Sequence, residues 1–282
     1  MLNSDGRTVT LSTSTLAEGL SYTITINNVA DLASNTIAPN SQEIFQFSPI
    51  LLPNGLIGYW SFDESSGSIA LDLSSNGNDG TVHGSQWTSN AKIGGALEFD
   101  GTDDYVDIRN IDVPGSAITI ALWFRAEDFE PSDVRLISKA TSTSEQDHYW
   151  MLSAIDGPKL RFRLKAGGTT TTLIANSPTL ALNTWTHVVA TYNGSIMNIY
   201  KDGVLVASRS KSGALDISSA VPAWIGRNPT SGYGSWNGQI DEVRIYDRAL
   251  DEDEIAQLVS QPDIPTDVTA PAAPSNLRVI ED

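Results

Sequence analysis

Apolar and polar positions alternate along most of this chain with a period of two, the pattern of strands with one buried face. Ile118, Ile120, Leu122 and Phe124 fall on one face of such a run, and Thr119, Ala121, Trp123 and Arg125 on the other. Leu160, Phe162 and Leu164 alternate with Lys159, Arg161, Arg163 and Lys165. Residues 186–192 read as a strand buried on both faces. The short runs 198–201 and 204–207 flank Asp202-Gly203. That dipeptide predicts a two-residue type I′ hairpin, because both central residues must take positive φ. Turn residues recur about every 8–12 positions, as expected for a sandwich. A single helix is predicted: Asp251 caps it, Glu254 lies three residues on, and Ile255, Leu258 and Val259 form its apolar side. The class is all-β: a two-sheet antiparallel sandwich with one short C-terminal helix.

Punctuation divides the chain into three pieces. Residues 1–50 hold two period-2 runs, 8–11 and 22–26, with turn-like Asn27-Asn28 and Ala33-Ser34-Asn35. They are too few for an independent sandwich. Ser48-Pro49 and Leu52-Pro53-Asn54-Gly55 form a boundary. The main domain is residues 55–260. Residues 261–282 are punctuated by Pro262, Pro265, Pro271 and Pro274 and read as a semi-rigid linker into a further domain.

Charge follows the same division. The 282 residues carry 34 Asp+Glu and 17 Lys+Arg, a net charge of −17. Residues 1–91 hold eight acids and one base, Arg7; residues 249–282 hold eight acids and one base, Arg278. The nearly balanced middle is thus set apart from two acidic ends. The overall sign argues against nucleic acid and against an anionic membrane surface, both of which require clustered positive charge. The chain has no cysteine, which excludes disulfides, thiolate metal sites and a cysteine nucleophile. Its apolar runs fall short of the roughly 20 residues a membrane helix needs, so no membrane insertion is expected. The start, Met1 to Asp5, lacks the basic and apolar regions of a signal peptide. With its cut-off flanks, the chain reads as a piece of a longer multidomain protein.

The order of motifs points to a family. Gly58-Tyr59-Trp60-Ser61-Phe62-Asp63-Glu64 is followed by Asp72-Leu73-Ser74-Ser75-Asn76-Gly77. Gly94-Gly95-Ala96-Leu97-Glu98-Phe99-Asp100-Gly101 comes next, with Asp104-Tyr105-Val106. Trp185-Thr186-His187-Val188-Val189-Ala190, Tyr200-Lys201-Asp202-Gly203 and Gly238-Gln239-Ile240-Asp241-Glu242-Val243-Arg244 complete the series. Together they resemble the bacterial laminin-G-like jelly-roll domain, of the concanavalin A-like lectin/glucanase fold. Residues 5–35 resemble the C-terminal half of a bacterial Ig-like domain, and residues 269–279 the opening strand of a fibronectin type III domain. The family resemblance implies a jelly roll with one concave sheet, a frequent structural calcium, and use in secreted or cell-surface proteins as an accessory module that binds carbohydrate. Its expected partners are a polysaccharide or glycan and the neighbouring domains of the same chain. A structural spacer in an adhesin, or a polysaccharide hydrolase or lyase, remain as alternatives.

The acids speak against catalysis. Glucanases of this fold place their carboxylates on one strand face, in an E-x-D-x-x-E-like run, and retaining cleavage needs the two about 5–5.5 Å apart. No such run occurs; Asp103, Asp104, Asp107, Asp241 and Glu242 sit in motifs of the non-catalytic family. His187, in an apolar strand, reads as a hydrogen-bonded structural histidine, and His83 as exposed. No G-x-S-x-G elbow is present to place a serine nucleophile. The expectation is a protein that is not an enzyme.

Calcium is the predicted cofactor, since it takes 6–8 hard oxygen ligands. One candidate site joins Asp63 and Asp241 with the turn bearing Gly101 and Asp103. The other is Asp72-x-Ser74-x-Asn76-Gly77, which copies the first half of an EF-hand loop with Asp72 and Asn76 as ligands but has His83 where the last acid would stand. The alternative for both is turn capping. For glycan contact, Trp60, Trp123 and Trp185 belong to core-like patterns, whereas Tyr149, Trp150, Tyr233 and Trp236 are predicted in loops, with His148, Arg227 and Asn228 as polar neighbours. Arg161 and Arg163 lie in a basic stripe on one strand face. That stripe is either a solvated outer surface or a site for an anionic polysaccharide.

Overall fold

The structure is a computed structural model that describes residues 21–26, 41–46, 54–229 and 233–260. The described residues fall into two compact units. In the first, β1 (Ser21–Ile26) and β2 (Ser41–Gln46) form an antiparallel ribbon. The predicted strand at 8–11, the turns at 27–28 and 33–35, and the linker 261–282 lie outside the described residues.

The second unit, 54–260, is a sandwich of two antiparallel sheets. Its strands in chain order are β3 (Leu56–Trp60), β4 (Ile69–Ala70), β5 (Gly80–His83), β6 (Gln86–Thr88), β7 (Ala96–Asp100) and β8 (Tyr105–Asp107). Then come β9 (Ile118–Ala126), β10 (Asp133–Ala140), β11 (His148–Ile155), β12 (Lys159–Ala166) and β13 (Thr169–Ala175). The last are β14 (Thr186–Tyr192), β15 (Ile196–Lys201), β16 (Val204–Ser210), β17 (Ala223–Ile225) and β18 (Asn237–Tyr246), before α1 (Glu252–Ser260). The front sheet runs β13-β12-β11-β10-β17-β8-β5-β4; the back sheet runs β16-β15-β14-β9-β18-β7-β6, with β3 also on β18. This is the predicted jelly-roll arrangement.

One apolar core lies between the sheets. Leu160, Phe162 and Leu164 enter it from the front, and Ile118, Ile120, Leu122 and Phe124 from the back, as their alternation predicted. Trp60 is fully buried among them. The other face of β9 carries Thr119, Ala121, Trp123 and Arg125. Thr119, Ala121 and Trp123 are all buried, Trp123 as its core-like pattern predicted. Helix α1 explains much of this: Leu250, Ile255 and Leu258 pack on Ala121, Val189 and Tyr246 and cover part of the back sheet. The helix starts as predicted, with Glu254 N–H donating to Asp251 Oδ1 (2.9 Å) and Asp251 N–H to Glu254 Oε2 (3.0 Å). The hairpin β15–β16 also turns where predicted, with φ of 50° at Asp202 and 81° at Gly203.

Candidate functional site

The outer face of the front sheet carries the densest polar chemistry, and strand register assembles it. Val106 and Ile225 pair and point into the core, so Tyr105 and Trp224 point outward. His83 stands opposite Tyr105. Trp224 pairs with Ser138, Ser138 with Met151, Met151 with Arg163, and Arg163 with Thr172. On β8 the register partner of Trp224 is Asp107, and the Tyr105 ring reaches Trp224 diagonally, so a row crosses the sheet from β5 to β13, aromatic at one end and basic at the other. At the aromatic end the rings are piled: His83 to Tyr105 centroids lie 4.4 Å apart, and Tyr105 to Trp224 centroids 3.9 Å, within 20° of parallel. Both faces of Tyr105 are thus covered, leaving the pile's ring edges and its two end faces to meet a ligand.

The basic end is built on three arginines. Arg135 pairs with Ser153, and Ser153 with Arg161, one step along from Arg163. Asp133 Oδ1 bonds both Arg135 Nη1 and Arg161 Nη2. Arg161 Nε donates to Ser153 Oγ (3.0 Å), and Arg163 Nε to Thr172 Oγ1 (3.2 Å). Burial works to raise the Asp133 carboxyl, but Arg135 and Arg161 reverse this and hold it below the ordinary range. Burial, helped by Arg161, brings Arg135 down to about 10, with Asp133 opposing. Burial and Arg161 likewise lower Arg163.

His148 is buried beside this cluster. Its Nδ1 lies 2.8 Å from the Ser144 carbonyl and its Nε2 3.2 Å from Asn228 Oδ1. Burial first, then Arg135, press its pKa down to about 4 against the Ser144 bond, so it is neutral at pH 7. The exposed ring of Tyr233 lies 5.7 Å over the Arg135 guanidinium.

Of the predicted contact residues, this face brings together Arg161, Arg163 and Tyr233. Two others are corrected: Trp150 lies in β11 rather than a loop, Trp236 lies in the loop before β18, and both are buried in the core rather than exposed as platforms, with Trp236 edge-on to Phe124 at 5.4 Å. Their neighbours in β11 and the start of β18 continue strand alternation into the sandwich. Tyr149 is half-buried under the Lys165 ammonium. Arg227 reaches elsewhere, donating to the Asp103 carbonyl (3.0 Å). Sequence reasoning missed Arg135, His83, Tyr105 and Trp224 as members of this face. The alternation of Val134-Arg135-Leu136 and Ala223-Trp224-Ile225 would have turned Arg135 and Trp224 outward.

The candidate calcium ligands separate. Asp63 Oδ1 accepts from Gly95 N–H (2.6 Å), and Asp241 Oδ2 from Lys92 and Ile93 N–H (2.9 and 3.0 Å), all just before β7. Gly101 and Asp103 follow the far end of β7. Five strand residues keep the two groups about 15 Å apart, so the composite site does not form. Asp241 is fully buried, its Oδ1 has no hydrogen-bond partner among the described residues, and burial, then Glu242 and Asp63, raise its pKa to about 8 against those two amides. It latches the 92–93 segment onto the back sheet. Asp72 is a turn cap: Oδ1 accepts from Tyr59 and Ser74 N–H, and Oδ2 from Ser74 O–H and Asn78 N–H. Asn76 donates its amide to the Leu56 and Ile57 carbonyls. The Asp72 and Asn76 EF-hand reading is thereby corrected, since both carboxylate oxygens already serve protein donors.

Asp103 instead joins Asp100 and Asp104, whose carboxylate oxygens lie within 4.8 Å of one another. Burial, then Asp100 and Asp103, raise Asp104 despite a bond from Asp100 N–H. Crowded acids of this kind fit a hard cation. His187 also departs from expectation. Among the described residues its ring nitrogens have no hydrogen-bond partner; the ring packs on Trp123 at 4.9 Å, and burial brings its pKa down to about 3.

No helix among the described residues is long and apolar enough to cross a membrane. Domain 4 of AbnA, a GH43 extracellular arabinanase from Geobacillus stearothermophilus solved with arabinotriose, is 20% identical. It superposes with a TM-score of 0.54 over 73% of this chain and 98% of that domain. The binding domain of Paraclostridial Mosquitocidal Protein 1 gives 0.56 at 18% identity, over 73% of this chain and 52% of that one. A Trypanosoma rangeli sialidase gives 0.55 at 18%, over 74% and 33%. In sequence, Pappalysin-1 of Mus musculus is 30% identical over 41% of this chain, and Adhesion G-protein coupled receptor V1 of Danio rerio 31% identical over 31%. The matched segments span 8% and 1% of those two proteins. The laminin G family profile described as the concanavalin A-like lectin/glucanases superfamily matches residues 100–256, more than half of the chain, and with the two-sheet sandwich in place the chain belongs to that superfamily.

Proposed function

We propose that residues 54–260 are a non-catalytic carbohydrate-binding module of a secreted or cell-surface protein, with its glycan lying along the outer face of the front sheet. The observation that carries this reading is the single row in which the His83–Tyr105–Trp224 pile leads through Ser138 to Arg163. Aromatic rings meet the apolar C–H faces of a sugar, and planar polar groups beside them bond its hydroxyls. The arabinotriose and the extracellular description of the similar arabinanase domain, with the adhesion name of the similar receptor, support the class and the location. The lack of an E-x-D-x-x-E-like run in the sequence supports a binding rather than a cleaving role, with neighbouring domains of the parent chain as partners. Calcium belongs to the same proposal. Asp100, Asp103 and Asp104 would hold it, and it would supply charge neutralisation and rigidity to the turn after β7.

Affinity electrophoresis of the whole chain on a panel of neutral and acidic polysaccharides tests the reading. Retardation on at least one polymer, lost in Trp224→Ala, is expected; mobility unchanged on every polymer refutes it. Release of reducing ends from the same panel would refute the non-catalytic part.

A further inference from the structure

The basic end of the row is unbalanced. Arg135 is completely buried, and only one edge of its guanidinium is used: Nη1 bonds Asp133, while Nε and Nη2 have no hydrogen-bond partner among the described residues. These two atoms form the side-on edge of the fork, the pair that meets both oxygens of a carboxylate. Arg161 and Arg163 lie alongside, and the Asp133 oxygen that serves Arg135 is the same one that serves Arg161. The acids acting on Arg163 are Asp133, already shared by the other two arginines, and the exposed Glu145. Buried cations left without counter-charge are strongly unfavourable, and two orphaned guanidinium donors add to that. Lysine and arginine on a solvated surface would show neither the burial nor the orphaned edge.

We infer that this arginine cluster takes the planar carboxylate of an acidic sugar, held side-on by Arg135 with Arg161 and Arg163 as flanking cations; the inference rests on glycan binding at the same face. The Tyr233 ring, 44% exposed, lies 5.7 Å over the guanidinium, and binding requires the side chains around the buried Nε/Nη2 edge to change rotamer. The sugar ring then lies toward Ser138 and Trp224. Neutral sugars lack the group that completes the fork, so selectivity comes from a buried polar site left unpaired without it.

Binding of the whole chain to polygalacturonate and to polysialic acid, each against its carboxyl-reduced form, tests this. Retention of at least one acid polymer and at least tenfold weaker binding of its reduced form are expected, equal to about 1.4 kcal/mol. The ¹⁵N resonance of Arg135 Nε should move on titration with the acid polymer. Arg163→Gln, a half-buried position, should weaken acid binding about tenfold with the fold intact by near-UV circular dichroism. Arg135→Lys, which keeps the charge but loses the fork, should do the same. Equal binding of acid and reduced polymers overturns the carboxylate site and leaves glycan binding standing. Equal binding of a sulfated galactan overturns it too, by showing undirected charge attraction. No binding to any polymer overturns both.

Discussion

Asp241 offers a sharp test of how this sandwich is held together. Its carboxyl group is fully buried, Oδ2 accepts two backbone N–H bonds from Lys92 and Ile93, and its pKa stands at about 8 against an ordinary 3.8. Burial is the largest cause, then the Glu242 carboxylate. An acid whose folded pKa is raised keeps its proton in the folded state over a range where the unfolded chain has lost it. The stability contribution is therefore whole below about pH 4, is lost as pH rises through that range, and levels off above about pH 8. At about 1.4 kcal/mol per unit, the full span is on the order of 6 kcal/mol. Asp241→Asn keeps an oxygen for the two amides and removes the titration. Guanidinium denaturation of wild type and variant at pH 5, 6.5 and 8 isolates the effect. The variant should gain on wild type by several kcal/mol from pH 5 to 8. A stability difference that stays flat with pH refutes a protonated buried Asp241.

Three further outcomes are expected. His148 and His187, with pKa values brought down from 6.5 to about 4 and about 3, bind fewer protons folded than unfolded, so the stability they contribute is lost as pH falls from about 6.5 toward those values. Their ring C–H NMR signals should stay at the neutral position at pH 5.5, and an imidazolium shift there would contradict their burial. Asp251→Ala removes the cap that bonds Glu254 N–H and should cost about 1 kcal/mol in urea unfolding, whereas an unchanged midpoint would show that packing alone sets the helix start. Calcium at tenfold excess over its Kd should stabilise the chain by about 1.4 kcal/mol, read as a rise in Tm that Asp104→Asn abolishes; a Tm indifferent to calcium and chelator counts against the acidic turn as a metal site.

The side-chain period alone carried much of the architecture. Strands with apolar alternation can bury that set on only one face, so 118–124 and 160–164 turned inward as read, and the Asp202-Gly203 and Asp251…Glu254 signals fixed a turn and a helix start through local backbone chemistry. The candidate site was legible only in part. Arg161 and Arg163 share a face by alternation within β12, but Trp150, in β11, and Trp236, in the loop just before β18, could not be told from exposed aromatics until the two sheets closed over them.

Long-range pairing decided the rest. Asp63 and Asp241 both cap the segment before β7, while Gly101 and Asp103 wait at its other end, because one extended strand separates them. The reverse holds across the front sheet. His83, Tyr105, Trp224, Ser138 and Arg163 are scattered over 142 positions of sequence, yet neighbouring strands lie about 4.8 Å apart and bring them into one row. A local pattern specifies which way a side chain points on its own strand; which side chain stands beside it depends on register and strand order, and those are properties of the closed sandwich.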